Sequence, residues 1–352
     1  MGEDKGMLVI GMPAGSLASA SRGGNLVSLL EQAGFKTKGY QDGGPSQFST
    51  VPFLYGWDGR PQEFGCQLGL SELDVAIAGD DWIRERQLEL RYEFGKEIEL
   101  ERILPLGRGQ VRLVGIVGKD DAHADTEAFL RDHFSRSRLL TLATEMPYTA
   151  LEWVMEAMRR GGFDPAFMRH SVQKYKTPPK IAEGVVVYET WGKTEAKIKN
   201  GGADLGLEIT QSGSAIANYG LRVLETVFES QSSIWIRPSL HDEPEKRALL
   251  EMLLMNLQGA LNAESKVLLM FNVGSADCAA VERYLREHEL FGDEPTANRG
   301  KDYTEYSVQV DSANPELPLA MVRYRLALLG ARSIDTVPLL SSIPGRFFKE
   351  GR

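Results

Sequence analysis

The amino-acid sequence predicts an α/β protein with a mostly parallel sheet, helices on both faces and a small ferredoxin-like domain at the end. Three observations lead there. Short apolar runs recur, each closed by glycine, proline or small polar residues and followed by a helical spacing of apolar positions. A helical pattern over residues 244–263 has no internal breaker except Gly259 and separates two series of elements. Beyond it, strand, helix, strand, helix and strand follow over residues 266–338, the order of a ferredoxin-like domain, close in kind to regulatory modules that bind amino acids.

In chain order, residues 7–12 (MLVIGM) suit a buried parallel strand opening into a loop at Pro13 and Gly15. Residues 25–33 place Leu26, Leu29, Leu30 and Ala33 on one helical face, and Gly34 ends that helix. Residues 40–59, rich in glycine, proline and serine, read as a long loop. Its Phe48, Phe53, Tyr55 and Trp57 imply packing on the body of the protein or on a partner subunit. A strand over 73–78 ends in a turn at Gly79, Asp80 and Asp81, where open α/β sheets place ligands, and residues 82–89 read as helix. Strand candidates at 103–106 and 111–117 flank residues 107–110. A further strand at 139–143 precedes a helix over 149–160, and strands are expected again at 184–190 and 226–236.

The stretch 201–221 (GGADLGLEITQSGSAIANYGL) holds the first functional signal. A strand over 205–209 empties into a small polar turn. A helix is expected next, with Ser212 or Ser214 as N-cap and Ala215, Ile216, Ala217 and Leu221 on its apolar face. Free backbone N–H groups in such a first turn form an anion socket, so a phosphate site is the leading expectation. The same pattern also serves as a plain connection in many α/β proteins.

Composition narrows the function. At 352 residues, with 42% hydrophobic and 25% charged, the chain is long enough for two or three domains with well-buried cores. Its net charge of −9 disfavours a general nucleic-acid binder, which needs a positive surface to displace counterions. A small anionic ligand is allowed where local basic groups attract it. No apolar run is long enough to cross a bilayer and the start is not a secretory signal, so a cytoplasmic protein without membrane contact is expected. Cys66 and Cys278, far apart in sequence, argue against a disulfide framework or a cysteine metal site and are expected in the core. No nucleophile and base pair stands out.

Several pieces, in order, resemble the ATP phosphoribosyltransferase family in its long form with a C-terminal regulatory domain. They are RPQEF with LDVAIAGDDWIRE, LPLGRGQVRLVGIV, LATEMP, WGKTEAKI with ADLGLEITQSGSAIANYGLRVLETVFESQSSIWI, and LLMNLQGALNAESKVLLMFNV. The resemblance implies a glycosyltransferase that condenses ATP with phosphoribosyl pyrophosphate, using magnesium, in the first step of histidine biosynthesis. N1 of the adenine displaces pyrophosphate at the anomeric carbon. It also implies a two-lobed, periplasmic-binding-protein-like (type II) catalytic part: lobe I over residues 1–117 and 209–262, with the phosphate loop and the long helix, and lobe II over 118–208. The ferredoxin-like regulatory domain covers 264–352.

Carried over residue by residue, Thr210, Gln211, Ser212, Gly213, Ser214 and Ala215 hold the ribose 5-phosphate, and Glu208 meets the ribose hydroxyls. Arg60 faces a phosphate, Asp81 lies near the nucleotide and Glu195 is the second-lobe glutamate. The plain alternatives are an Arg60–Glu63 surface pair, Asp81 as a helix cap and Glu195 as a solvated strand-end charge. Arg112, inside an apolar strand, is expected to pair within the structure. Feedback inhibition by histidine and assembly into dimers or hexamers are further implications. The chain departs from the family's pattern at Ala14 and Ser16, where a polar residue and an arginine are usual, with Arg22 as a candidate replacement. At Ala215 many members have threonine. These departures motivate an alternative: a non-catalytic or altered-substrate paralogue that binds a phosphorylated ligand in the same cleft.

Overall fold

The computed structural model describes residues 6–14, 25–40, 46–290 and 296–343. Gly15, Ser16 and Arg22 lie outside the described residues. The chain divides into two compact units, Met1–Val27 with Thr37–Arg247 and Ser28–Lys36 with Ala248–Arg352.

β1 (Leu8–Pro13) is buried along nearly all its length, as its unbroken apolar run requires, and α1 (Leu26–Gln32) follows. Residues 40–59 are not one long loop. β2 (Thr37–Lys38) and β3 (Gln47–Phe48) form a small antiparallel ribbon, and β4 (Leu54–Gly59) is an edge strand parallel to β1. The sequence LYGWDG hides that strand because two glycines and an aspartate interrupt its aromatic residues. α2 (Pro61–Gly69) starts on a proline, β5 (Val75–Gly79) is buried throughout, and α3 (Asp80–Phe94) follows without a loop. The expected turn at Asp80 and Asp81 is therefore the first turn of α3, with Gly79 as its N-cap. Two carboxylates there complement the positive end of the helix.

β6 (Glu101–Gly118) is one strand of 18 residues where the sequence suggested two. Gly107 and Gly109 take positive φ inside it, a local distortion that the ladder passes through. Then come α4 (Thr126–Arg136), β7 (Leu139–Thr144), α5 (Pro147–Arg160), β8 (His170–Lys174) and β9 (Gly184–Glu189). α6 (Thr194–Lys199), β10 (Leu205–Thr210), α7 (Ser214–Asn218) and β11 (Leu221–Ile236) complete the series. Leu221, expected on a helix, opens β11 instead.

These strands form a nine-stranded sheet of order β4-β1-β5-β11-β6-β10-β7-β9-β8. β4, β1 and β5 are parallel, as are β10, β7, β9 and β8. Between these halves the long strands β6 and β11 run antiparallel, with several register shifts along their pairing. The sheet is thus mixed, because β6 and β11 pair without the crossover helix that a parallel neighbour needs. Phe64, Leu68, Leu73, Ala76, Ala78 and Ile83 make a core around α2, β5 and α3. The second half is covered on both faces. Leu140, Leu142, Leu151, Val154 and Met158 lie on the α4 and α5 side, and Val114, Ile116, Ala143, Ile198 and Ile216 on the α6 and α7 side.

α8 (Pro244–Ala263) matches its sequence pattern, and the unit boundary falls within it, between Arg247 and Ala248. In the second unit β12 (Lys266–Gly274), α9 (Cys278–Glu287), β13 (Thr296–Arg299), β14 (Tyr303–Asp311), α10 (Leu319–Leu328) and β15 (Ala331–Pro338) follow. Their strands make an antiparallel sheet of order β13-β14-β12-β15. Leu269, Phe271 and Val273 alternate inward along β12 and meet Val281, Leu285, Val322 and Leu326 from the two helices. β13 has four exposed residues and no apolar pattern that would announce it. Cys66 and Cys278 are free and half-buried, not core residues. Among the described residues no helix is long and apolar enough to cross a membrane.

Candidate active site

The carboxyl ends of both parallel half-sheets open on one cleft, the place where open α/β sheets take ligands. Ala14 after β1, Arg60 after β4, and Gly79 with Asp81 at the end of β5 line a cavity of about 490 Å3, with Trp82, Ile209, Gln211 and Ser230. It continues through Arg60, Gln62 and Trp82 into a cavity lined by Glu145 after β7 and by Glu189, Thr190 and Trp191 at the end of β9. A further cavity of about 510 Å3 holds Asp80, Arg102, Arg112 and Glu229, and shares Val111, Gln211 and Ser230 with the first. Gln211 therefore borders two cavities.

Arg60 is the N-cap residue of α2, with extended backbone. Its side chain is exposed to the cleft, and among the described residues no ion pair holds it, with Glu63 or otherwise. Asp81 is buried, with 5% exposure. Its N–H donates to Ser230 Oγ at 3.0 Å, and its Oδ1 accepts from the Trp82 N–H at 2.9 Å. Burial pushes the Asp81 carboxyl above the usual range, and the charge of Asp80 adds to this, against the Ser230 and amide hydrogen bonds. A Cβ on Gly79 would lie 2.2 Å from Asp81 Oδ1, so only glycine leaves room for that carboxylate.

The turn after β10 is stabilised by its own side chains. Gly213, left-handed at φ 76°, is the N-cap of α7, and neither Ser212 nor Ser214 caps it as the sequence suggested. Thr210 Oγ1 accepts from the Gly213 N–H at 2.8 Å, and Ser212 Oγ accepts from the Ser214 N–H at 3.3 Å. Two of the turn's amides are thus occupied. The amides of Ser212, Ala215 and Ile216 find no partner among the described residues, and Gln211, Ser212, Ser214 and Ala215 are exposed.

Glu208 lies two positions before Thr210, on the same face of β10. It is half-buried and pushed up to about 7, first by burial, then by the charge of Glu195, with Glu145 adding. The Thr194 hydroxyl faces it and pulls partly the other way. Glu195 sits buried in the first turn of α6, not solvated at a strand end. The site residues named from the sequence therefore fall into two groups. Arg60, Asp81 and Gln211 share the first cavity, and Glu208 and Glu195 form an acidic cluster with Glu145.

Arg112 corrects an expectation. It stands opposite Thr210 of β10 and Glu229 of β11, lines the cavity beside Gln211, and has no ion pair among the described residues. Trp82, Tyr148 and Ser230 also border the cavities and were not named from the sequence. Trp82 and Ser230 lie inside motifs already quoted, which is the signal that could have found them. Glu85 was missed as well. From α3 its buried carboxylate accepts the Tyr148 N–H at 2.9 Å, the Thr149 N–H at 2.8 Å and the Thr149 hydroxyl at 2.7 Å, so it caps α5 from outside that helix.

Magnesium takes oxygen ligands and is commonly held by one or two carboxylates together with substrate phosphates. Among the described residues no group of three or more His, Cys, Asp or Glu side chains could hold an ion by itself. Asp81, Glu145 and Glu189, which line the cleft, are oxygen donors of the kind that take such an ion only together with other ligands.

Fold and cleft together define an α/β protein that takes a small molecule at the carboxyl ends of its parallel strands. The chain belongs to the ATP phosphoribosyltransferase family, whose model matches residues 60–259. It is 28% identical over 342 residues to the ATP phosphoribosyltransferase of Trichlorobacter lovleyi, covering 95% of this chain and 98% of that one. To ATP phosphoribosyltransferase 1 of Geobacter sulfurreducens it is 27% identical over 342 residues, with the same coverage. Among solved structures, the ATP phosphoribosyl transferase complex of Thermotoga maritima aligns with a TM-score of 0.48 at 17% identity, over 71% of this chain and 98% of that one. A periplasmic sulfonate-binding protein of Methylobacillus flagellatus aligns with a TM-score of 0.41 at 10% identity, over 71% of this chain and 66% of that one.

Proposed function

We propose that this cleft carries out the family's reaction, phosphoribosyl transfer to ATP in the first step of histidine biosynthesis, with the turn after β10 as its anchor. The observation that carries the reading is the turn itself, whose Ser212, Ala215 and Ile216 amides find no partner among the described residues, beside Gln211 at the border of two cavities. Those amides and the hydroxyls of Thr210, Ser212 and Ser214 hold the 5-phosphate of phosphoribosyl pyrophosphate. Glu208 accepts hydrogen bonds from the ribose hydroxyls, with Glu195 beside it. Arg60 faces the departing pyrophosphate and Asp81 the nucleotide.

Displacement of pyrophosphate by N1 of adenine passes through an oxocarbenium-like state and needs no covalent nucleophile. The protein aligns the two reactants and stabilises the charge that develops on the leaving group. Magnesium, when bound, would neutralise pyrophosphate oxygens, and carboxylates that line the cleft, Asp81, Glu145 and Glu189, are the groups that could share it with the substrate.

The catalytic part is read as two lobes in a periplasmic-binding-protein-like (type II) arrangement, residues 1–117 with 209–262 and residues 118–208. The remainder, over 264–352, is read as a ferredoxin-like regulatory domain that responds to histidine. Its βαββαβ order and antiparallel sheet support the label. Assembly into dimers or hexamers and a cytoplasmic location belong to the same reading.

Pyrophosphate release from ATP, phosphoribosyl pyrophosphate and magnesium is the test. The protein should turn over, and Gly213→Asp, which puts a carboxylate at the phosphate turn, should lower kcat/KM by about 100-fold or more. Ligand binding without turnover in the unmodified protein would favour the paralogue. Ala14 in the cleft and the missing hydroxyl at Ala215 are the features that point that way.

A further inference from the structure

Trp191 is 86% exposed, more than any other large hydrophobic side chain among the described residues. It opens the loop between β9 and α6 and lines a cavity of about 450 Å3 with Arg60, Trp82, Glu145, Tyr148 and Thr190. An indole in water forgoes the burial that large aromatic rings supply, so its place at the mouth of a cleft calls for an explanation.

The loop that carries it is held firmly. The Thr190 N–H donates to the Thr144 carbonyl at 2.8 Å. Gly192 and Lys193 are both left-handed, at φ 77° and 56°. The Lys197 ammonium donates to the Gly192 carbonyl and, at 3.4 Å, to that of Lys193. A left-handed lysine persists only where its surroundings over-determine it. The backbone therefore presents the indole; it does not leave it loose.

A second observation comes from the neighbouring residue. Thr190 lines the same cavity at 3% exposure, and its hydroxyl has no hydrogen-bond partner among the described residues. Buried hydroxyls are normally paired, so one without a partner that borders a cavity leaves a hydrogen bond to be completed from the cavity side. A flat ring with a polar edge would satisfy both residues at once.

We propose that this end of the cleft takes the purine of the nucleotide substrate, with Trp191 stacked on its face and the Thr190 hydroxyl bonded to its edge. The assignment rests on the transferase reading above, in which ATP brings the aromatic ring and phosphoribosyl pyrophosphate has none. Stacking accepts any base, so the Thr190 hydroxyl supplies the choice among them.

Titration with ATP alone should quench tryptophan emission, and W191F should lose most of that quench. W191A should bind ATP about tenfold more weakly, and W191F, which keeps a stacking ring, within about threefold of the parent. Tripolyphosphate, which lacks the base, should bind W191A and the parent equally. In turnover W191A should raise KM for ATP about tenfold and leave that for phosphoribosyl pyrophosphate within about twofold. The proposal is overturned if W191A binds ATP like the parent, or if it loses tripolyphosphate affinity to the same degree as ATP affinity, which would mark damage to the loop. Binding needs no turnover. A protein that stacks ATP yet releases no pyrophosphate therefore sinks the transferase reading and keeps this one.

Discussion

Glu208 changes charge close to the pH at which a biosynthetic enzyme works. Folding moves its carboxyl from 4.5 to about 7, so the folded chain holds the proton more tightly than the unfolded one. Stability from this group is fully present below 4.5 and is lost as pH rises to about 7. Glu208→Gln should therefore stabilise the protein at pH 8 by on the order of 1–2 kcal/mol, with no gain at pH 4.5, read from denaturant midpoints. Activity should run the other way. If the carboxylate accepts the ribose hydroxyls, kcat/KM for phosphoribosyl pyrophosphate rises through pH 7, and Glu208→Gln gives a lower, flat profile; an unchanged inflection would remove Glu208 from that role. At this scale the sequence was legible where a residue sits beside a strand end. Arg60 and Asp81 are of that kind. Arg112 was not, because its neighbours Thr210 and Glu229 come from strands about a hundred residues further on.

Single elements show why some motifs were readable and others were not. α8 announced itself because twenty consecutive residues keep a helical period. β4 did not, since an edge strand with two glycines has no apolar alternation to display. The beginning of α5 was equally hidden, because its amide partners come from another helix. Its N-cap, Met146, has no side-chain oxygen, and Glu85 on α3 takes over the Tyr148 and Thr149 amides. Glu85→Ala leaves the buried Thr149 amide and the part-buried Tyr148 amide without an acceptor and removes a carboxylate from the helix start. It should cost about 2–4 kcal/mol, seen as a lower urea midpoint with an unchanged slope. A loss below about 0.5 kcal/mol would mean that other acceptors replace Glu85.

For the molecule as a whole, the division into an α/β unit and a smaller antiparallel unit was legible from the order of elements alone. The antiparallel seam in the large sheet was not, because no local pattern tells a strand which neighbour it will meet. The regulatory reading of the second unit carries its own prediction. L-histidine at saturation should lower the rate of pyrophosphate release by about half or more, a population shift of ordinary allosteric size. A rate that stays level would leave that unit without an effector role.

The seam itself has a mechanical consequence. β6 and β11 slip against each other at five places along their pairing, and each slip leaves backbone groups outside the regular ladder, where twist is absorbed most cheaply. The change of strand direction between the two parallel halves is therefore made across the most irregular pairing of the large sheet, and bend and extra coiling gather there.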